Sequence, residues 1–185
     1  MSERVCPVWI GYFLASPIRK LIQNPQTILH PYIKEGMKVL DVGSAMGFFS
    51  IPMAKIVGTT GKVVCVDLQQ RMLDVLEKRS RKAGVFDRME LRQCSPGSLE
   101  TRDIKEEFDF ALASAVLHEV PDVSSLFKEV YQALKKNGTM LIAEPKGHVD
   151  EEHFQATLDA AKANGFILVN QPEIGKSLTA LIRKN

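Results

Sequence analysis

Apolar positions recur along this chain in two periods, and the alternation between them lays out its elements. Val39, Leu40 and Val42 form a short apolar run with Asp41 at its end, the pattern of a buried strand. Gly43 and Gly47 then bracket a turn, and IPMAKIVG follows at helical spacing. Pro52 has no N–H and suits a first helical turn, which places that helix start near Phe48. After Gly61, KVVCVD (62–67) reads as a second strand. Residues 69–84 then read as a helix with Met72, Val75, Leu76 and Ala83 on or near one face and Gly84 as its C-terminal stop. A third strand is predicted over 88–93. A fourth, with the turn after it, falls in 106–122, where Phe108, Phe110, Leu112 and Ala115 are its core positions. The spacing predicts an amphipathic helix over 122–138, with Leu126, Val130 and Ala133 inward and Gly138 as its end. A fifth strand (139–145) closes at Glu144-Pro145, and a helix over 151–165 carries Phe154, Leu158 and Ala161 on one face.

The last two apolar runs, 165–171 and 177–183, are separated by only five residues. A parallel crossover needs about a dozen residues or more, so these strands must be antiparallel. The earlier units alternate strand and helix and build a parallel sheet. The expected fold is α/β: a Rossmann-like, doubly wound, mostly parallel sheet with a C-terminal antiparallel hairpin, spanning 36–185. At 185 residues the chain is one domain. Residues 1–35 are an N-terminal extension with the apolar stretch VWIGYFL and a short helix over 25–34, interrupted by Pro31. Trp9, Tyr12 and Phe13 have two open readings: packing on the sheet edge, or an aromatic lid over a substrate pocket.

The strand–turn–helix at 38–56 is the first chemical signal. A glycine turn of this kind aims bare backbone N–H groups and a helix N-terminus at a ligand, and glycines allow close approach. Asp67, ending the next strand about 20 residues on, can accept both hydroxyl hydrogens of an adenosine ribose. The dinucleotide pattern G-x-G-x-x-G is missing, as is the Gly-Lys-Ser/Thr ending of a phosphate loop. The pattern present is Asp41-x-Gly43-x-x-x-Gly47, with the acid before the glycines.

Acid first and glycines after resembles motif I of the class I S-adenosyl-L-methionine (SAM)-dependent methyltransferases, with Ala45 in place of the middle glycine. HEVPD (118–122) is similar to the corresponding turn of small-molecule methyltransferases of the ubiquinone/menaquinone-biosynthesis kind. With CPVWIGY and EPKGHV, the chain resembles a group of small prokaryotic members. The resemblance covers about 36–185 and implies SAM as methyl donor, S-adenosylhomocysteine as product and in-line transfer to a small-molecule acceptor. It implies that Asp41, Gly43, Ser44 and Gly47 position the methionine end and Asp67 the ribose. Leu68, Cys94 and Ser95 frame the adenine, with the Ser95 N–H holding its edge, and Ser114 ends the fourth strand beside the methyl group. Family members often carry an aspartate where this chain has Cys94, and a thiol is a weaker acceptor. Candidate catalytic residues are His118 and Glu144; candidate substrate contacts are Trp9, Tyr12 and His148. His118 reads equally as a base, a substrate contact or a cap, and Glu144 as a substrate-side carboxylate or a loop tie.

Composition adds bounds. The formal net charge is +2 with 25% charged residues, which gives no sign of a polyelectrolyte partner. Lys78, Arg79, Arg81 and Lys82 cluster but interleave with acids on a predicted helix, the pattern of a solvated face. Nucleic acid is therefore not an expected partner, and RNA methylation is the weaker variant. Three widely spaced cysteines fit a reducing, cytoplasmic compartment. A Cys6–Cys94 thiol pair for a soft metal rests on residue type alone, and no metal is expected. No apolar run reaches the ~18 residues of a membrane span. Two rival classes are a SAM-binding protein without turnover and an NAD(P)-dependent oxidoreductase. Ala45 and Cys94 favour the first; the missing fingerprint and the antiparallel ending oppose the second.

Overall fold

The computed structural model of the protein describes residues 24–185. The readings that rest on Cys6, Trp9, Tyr12 and Phe13 lie outside the described residues. The chain enters through a short helix, α1 (Pro25–Leu29), capped by Asn24, whose side chain accepts from the Gln26 N–H at 3.0 Å. There follow β1 (Lys38–Val42), α2 (Ser50–Ile56), β2 (Lys62–Asp67), α3 (Gln70–Lys82), β3 (Met89–Gln93) and β4 (Phe108–Ser114). The chain closes with α4 (Val123–Ala133), β5 (Leu134–Pro145), α5 (Glu151–Ala163), β6 (Phe166–Asn170) and β7 (Ser177–Lys184).

One seven-stranded sheet runs β3-β2-β1-β4-β5-β7-β6. Neighbours among β1 to β5 are parallel. β7 is antiparallel to both β5 and β6. The expected hairpin is present, and its final strand enters between β5 and β6. Burial explains that placement: Ala180, Leu181 and Ile182 on β7 are covered, whereas Leu168 on β6 is 53% exposed. The more apolar-looking run, FILV, is thus the edge.

Strand alternation sends side chains to two cores. Leu40, Val42, Val64, Val66, Met140 and Ile142 pack with Leu126, Phe127, Val130, Phe154 and Leu158 of α4 and α5. Val39, Val63, Cys65, Phe110, Leu112 and Leu141 pack with Leu29, Met53, Leu73 and Leu76 of α1 to α3. On α3 the inward positions are Met72, Leu73, Leu76 and Ser80. Leu73 thus takes the central place, while Val75 is half-buried.

Several boundaries differ from the sequence expectation: the first helix, expected over 25–34, ends at Leu29, and β5, expected from 139, begins at Leu134. α2 begins at Ser50, two residues past Phe48, because the glycine turn extends through Phe49. α4 stops at Ala133 instead of running to Gly138. Leu134 turns extended (ψ 141) and pairs with Phe108, and the irregularity before Thr139 is absorbed by Asn137 at φ 63. Ala115, expected in the fourth strand, lies past its end at φ 55 and turns the chain away from the sheet.

Candidate active site

Strand order reverses between β1 and β4, and in open α/β sheets ligands bind in the crevice outside the strand ends at such a switch point. The turns after β1 and β4 touch there. Gly43 has φ +70, and a Cβ on it would lie 2.5 Å from Val116 Cγ2. Gly47 has φ +83, and its Cβ would lie 2.2 Å from Leu76 Cδ1. Both glycines are therefore required by backbone conformation and by packing within the protein. The turn's N–H groups are also engaged. Gly43 and Ser44 donate to Val66 C=O at 2.9 and 3.0 Å, and Gly47 donates to Ser44 C=O at 2.9 Å. Ala45 donates to Asp67 Oδ2 at 2.8 Å. The expectation of bare N–H groups aimed at a ligand is corrected accordingly.

Alternation along β1 sends Asp41 to the α2 side with Val39, where it is 3% exposed and accepts from Ser50 Oγ at 2.5 Å. Burial lifts its carboxyl from 3.8 to about 7; the Ser50 hydroxyl opposes that rise and Asp67 adds to it. Asp41 thus lies beneath the turn as its anchor. Ser44 Oγ is buried with no hydrogen-bond partner, and the residue is 5% exposed. Asp67 Oδ1 accepts from the Gln69 N–H at 2.9 Å. With Ala45 on Oδ2, each oxygen keeps further acceptor capacity. Burial raises the Asp67 carboxyl above its ordinary value, against the pull of those two N–H groups.

Leu68 is half-buried next to Asp67, and Cys94 is half-buried at the end of β3. The Cys94 N–H donates to Asp67 C=O at 3.0 Å, which sets these two strand ends side by side. Its thiol is pushed up to about 11, mainly by burial, with Asp67, Glu100 and Glu129 adding to it. A thiol in that state is protonated at neutral pH and is a poor soft-metal ligand. Among the described residues no group of three His, Cys, Asp or Glu side chains is placed to hold a metal. Ser95 is exposed, and its N–H is engaged by Ser98 C=O at 3.1 Å. That engagement corrects the expectation that the Ser95 N–H holds an adenine edge.

On the other side of the switch point, Ser114 ends β4 half-buried and Ala115 donates to Ala143 C=O at 2.8 Å. Glu144, at the end of β5, is 1% exposed. Its Oε1 accepts from the Val116 and Leu117 N–H groups, each at 3.0 Å. Its Oε2 takes a short hydrogen bond from His118 Nδ1. That bond raises the His118 imidazole above its usual range, against the opposing effect of burial. The His118 and His148 rings meet edge to face with centroids 5.4 Å apart. Glu144 thus ties the turn after β4 and pairs with His118, and His148 is the exposed outer wall.

The sequence reading missed two residues that hold this edge of the sheet. Glu129, buried on α4, accepts from Leu99 N–H at 3.1 Å, Ser98 Oγ at 3.3 Å and Thr101 Oγ1 at 3.4 Å, fixing the segment after β3. The signal was available: Glu129 falls on the apolar face with Leu126 and Ala133, where an acid needs partners. Arg79 donates from Nη1 to Met46 C=O at 2.7 Å and ties α3 to the glycine turn. In sequence it is indistinguishable from its charged neighbours. Arg81, from the same cluster, pairs with Glu77 and lies 3.8 Å over the Phe86 ring. A 540 Å³ cavity opens beyond β5, lined by Lys146, Glu151, Phe154, Gln155, Ile174 and Leu178 among others. It lies beside Pro145, away from the glycine turn. No helix among the described residues is long and apolar enough to cross a membrane.

Known proteins share this fold and part of this sequence. The chain matches the methyltransferase-domain family over residues 33–182. It is 34% identical over 112 residues to the ubiquinone/menaquinone biosynthesis C-methyltransferase UbiE of Haemophilus ducreyi, a match covering 60% of this chain and 42% of that protein. It is 33% identical to the demethylmenaquinone methyltransferase of Lactobacillus johnsonii, over 60% of this chain and 45% of that one. The match thus spans less than half the length of these curated relatives. A SAM-dependent methyltransferase from Aquifex aeolicus superposes with a TM-score of 0.84 at 22% identity, covering 97% of this chain and 98% of that one. A methyltransferase of Methanococcus maripaludis, described as putative and S-adenosyl-L-methionine-dependent, gives 0.77 at 17% identity, covering 100% and 97%. From the family match and the strand order together, the chain belongs to the methyltransferase-domain family, with the fold of SAM-dependent methyltransferases and a sequence similar to the UbiE group.

Proposed function

We propose that the protein transfers a methyl group from SAM to a small-molecule acceptor bound over the ends of β4 and β5. The observation that carries the acceptor class is the brevity of this rim. β5 passes to β6 through a short connection and the single helix α5, and β4 passes to α4 through a short segment (115–122) that holds one turn of 3-10 helix, Leu117–Glu119. These segments form a compact wall, with the 540 Å³ cavity beside it, and add no separate platform for a macromolecule. The similarity to quinone-biosynthesis C-methyltransferases supports the same class.

The residues present fit the donor. Asp67 keeps acceptor capacity on both oxygens for a ribose diol, and Ser44 Oγ is a buried hydroxyl in need of a partner. Bound SAM supplies an electrophilic methyl group on a sulfonium. Asp67 binds the ribose, Ser44 the methionine end, and Leu68 and Cys94 flank the adenine. Asp41, Gly43 and Gly47 act by holding the turn that carries Ser44. Ser114 and the Ala115 turn border the reacting centre. The chain's contribution to rate is alignment, since holding nucleophile, carbon and leaving group in line removes much of the entropic barrier.

The test is label transfer. The protein is incubated with methyl-tritiated SAM and, in separate reactions, a deproteinised small-molecule extract, total RNA and a protein extract. Label entering the small-molecule fraction alone is the expected outcome; label entering only RNA or protein contradicts the proposal.

A further inference from the structure

We infer that His118 Nε2 is the proton acceptor of this site, that Glu144 is its positioning residue, and that the methyl acceptor attacks through an atom carrying a proton. The inference rests on the methyl-transfer reading above and narrows its acceptor from small molecules to protic nucleophiles. Aprotic ones, such as thioethers and tertiary amines, need no base.

The geometry is that of a base oriented by a third group. Glu144 cannot itself reach an acceptor. Its side chain is 2% exposed, and both oxygens are occupied, Oε1 by two backbone N–H groups and Oε2 by His118 Nδ1. A carboxylate on Nδ1 keeps the proton there and leaves the Nε2 lone pair as the ring's basic site. The His118 side chain is 21% exposed and so is open to solvent, while Glu144 stays covered. Val116, two residues before His118, packs against Gly43 of the donor-side turn. The Glu144 carboxylate, with the Val116 N–H on Oε1 and the imidazole on Oε2, therefore registers the base against the donor side. Three groups face the ring: Glu144 from β5, Glu119 from the same turn, with Oε1 4.0 Å from Nε2, and His148 from the segment after β5. The two carboxylates favour the imidazolium that forms when a proton arrives. His148 contributes a ring wall.

In the step, the acceptor's nucleophilic atom forms the new bond to carbon as the carbon–sulfur bond breaks. The sulfonium electron pair stays on sulfur, giving a neutral thioether. The acceptor's proton passes to His118 Nε2, and Glu144 stabilises the imidazolium without taking the proton.

The test is an NMR titration of the imidazole nitrogens in the protein saturated with S-adenosylhomocysteine. In wild type the neutral His118 ring is expected as the Nδ1–H tautomer, titrating above an ordinary histidine. In Glu144→Gln its titration moves to lower pH and the tautomers mix. A neutral ring protonated on Nε2, or a titration unmoved in Glu144→Gln, overturns the inference. Retained S-adenosylhomocysteine binding in those samples separates that failure from failure of the methyltransferase reading. His118→Gln, which keeps a polar side chain but no base, is expected to lower turnover of a protic acceptor by ~100-fold or more. Unchanged turnover in that variant also overturns the assignment.

Discussion

Replacing Asp41 by Asn tests the buried anchor of the glycine turn. The Asp41 carboxyl is fully enclosed, and burial, opposed by Ser50 and reinforced by Asp67, lifts it from 3.8 to about 7. The folded state therefore holds a proton between those values that the unfolded chain releases. Where the folded state binds more protons, stability falls as pH rises. The loss begins near the unfolded value, accumulates up to about pH 7 and is constant above it. At about 1.4 kcal/mol for each tenfold step, the interval corresponds to on the order of 4 kcal/mol at this one site. Asn at the same position cannot ionise and still offers an oxygen to the Ser50 hydroxyl. Urea unfolding of wild type and Asp41→Asn is compared at about pH 5 and about pH 8. The variant's stability relative to wild type is expected to rise by about 2–3 kcal/mol between the two, the part of the loss that falls above pH 5, and other titrating groups cancel in the comparison. An equal difference at both pH values would refute the argument: Asp41 would then be ionised or solvated throughout.

Three further perturbations bear on the same edge of the sheet. Gly47→Ala sets a Cβ 2.2 Å from Leu76 Cδ1 at a left-handed φ and is expected to lower stability by roughly 2–4 kcal/mol in chemical denaturation; adding Leu76→Ala should relieve none of the backbone part. Ala45 holds φ 45, so Ala45→Gly is expected to raise the melting temperature slightly, by about 0.5–1 kcal/mol of relieved strain after glycine's entropy, while a drop would show that the Ala45 methyl packs productively. Glu129→Ala strips the acceptor from Leu99, Ser98 and Thr101; calorimetry is expected to show S-adenosylhomocysteine affinity falling roughly tenfold, with a stability loss of about 1–3 kcal/mol.

How far the sequence discloses this molecule depends on the range of the interaction. The strand–helix alternation and the five-residue link between the last strands are local, and both appear as read. The position of β7 between β5 and β6 is not local, because FILV at 166–169 looks more like an interior strand than the segment that is one. Gly43 and Gly47 are recognisable as a turn, but their reason lies in Val116 and Leu76, distant in sequence and adjacent only after folding. Asp67 is legible because a strand end and an acid suffice to define its place. Asp41 is legible as part of a motif, although strand alternation turns it under the turn toward Ser50. The His118–Glu144 pair joins the ends of neighbouring strands, and sequence names both residues without pairing them. Glu129 is legible as an acid on an apolar helix face, although its partners are not, whereas Arg79 acts on a backbone carbonyl, which carries no side-chain signature.

The central claim is that the crevice between the β1 and β4 turns binds the donor through Asp67 and Ser44. The most direct measurement is calorimetric titration with S-adenosylhomocysteine of wild type, Asp67→Ala and Ser44→Ala. The account predicts one site per chain in wild type, abolished in Asp67→Ala and weakened in Ser44→Ala. Absence of binding to wild type, or equal binding by all three proteins, would contradict it.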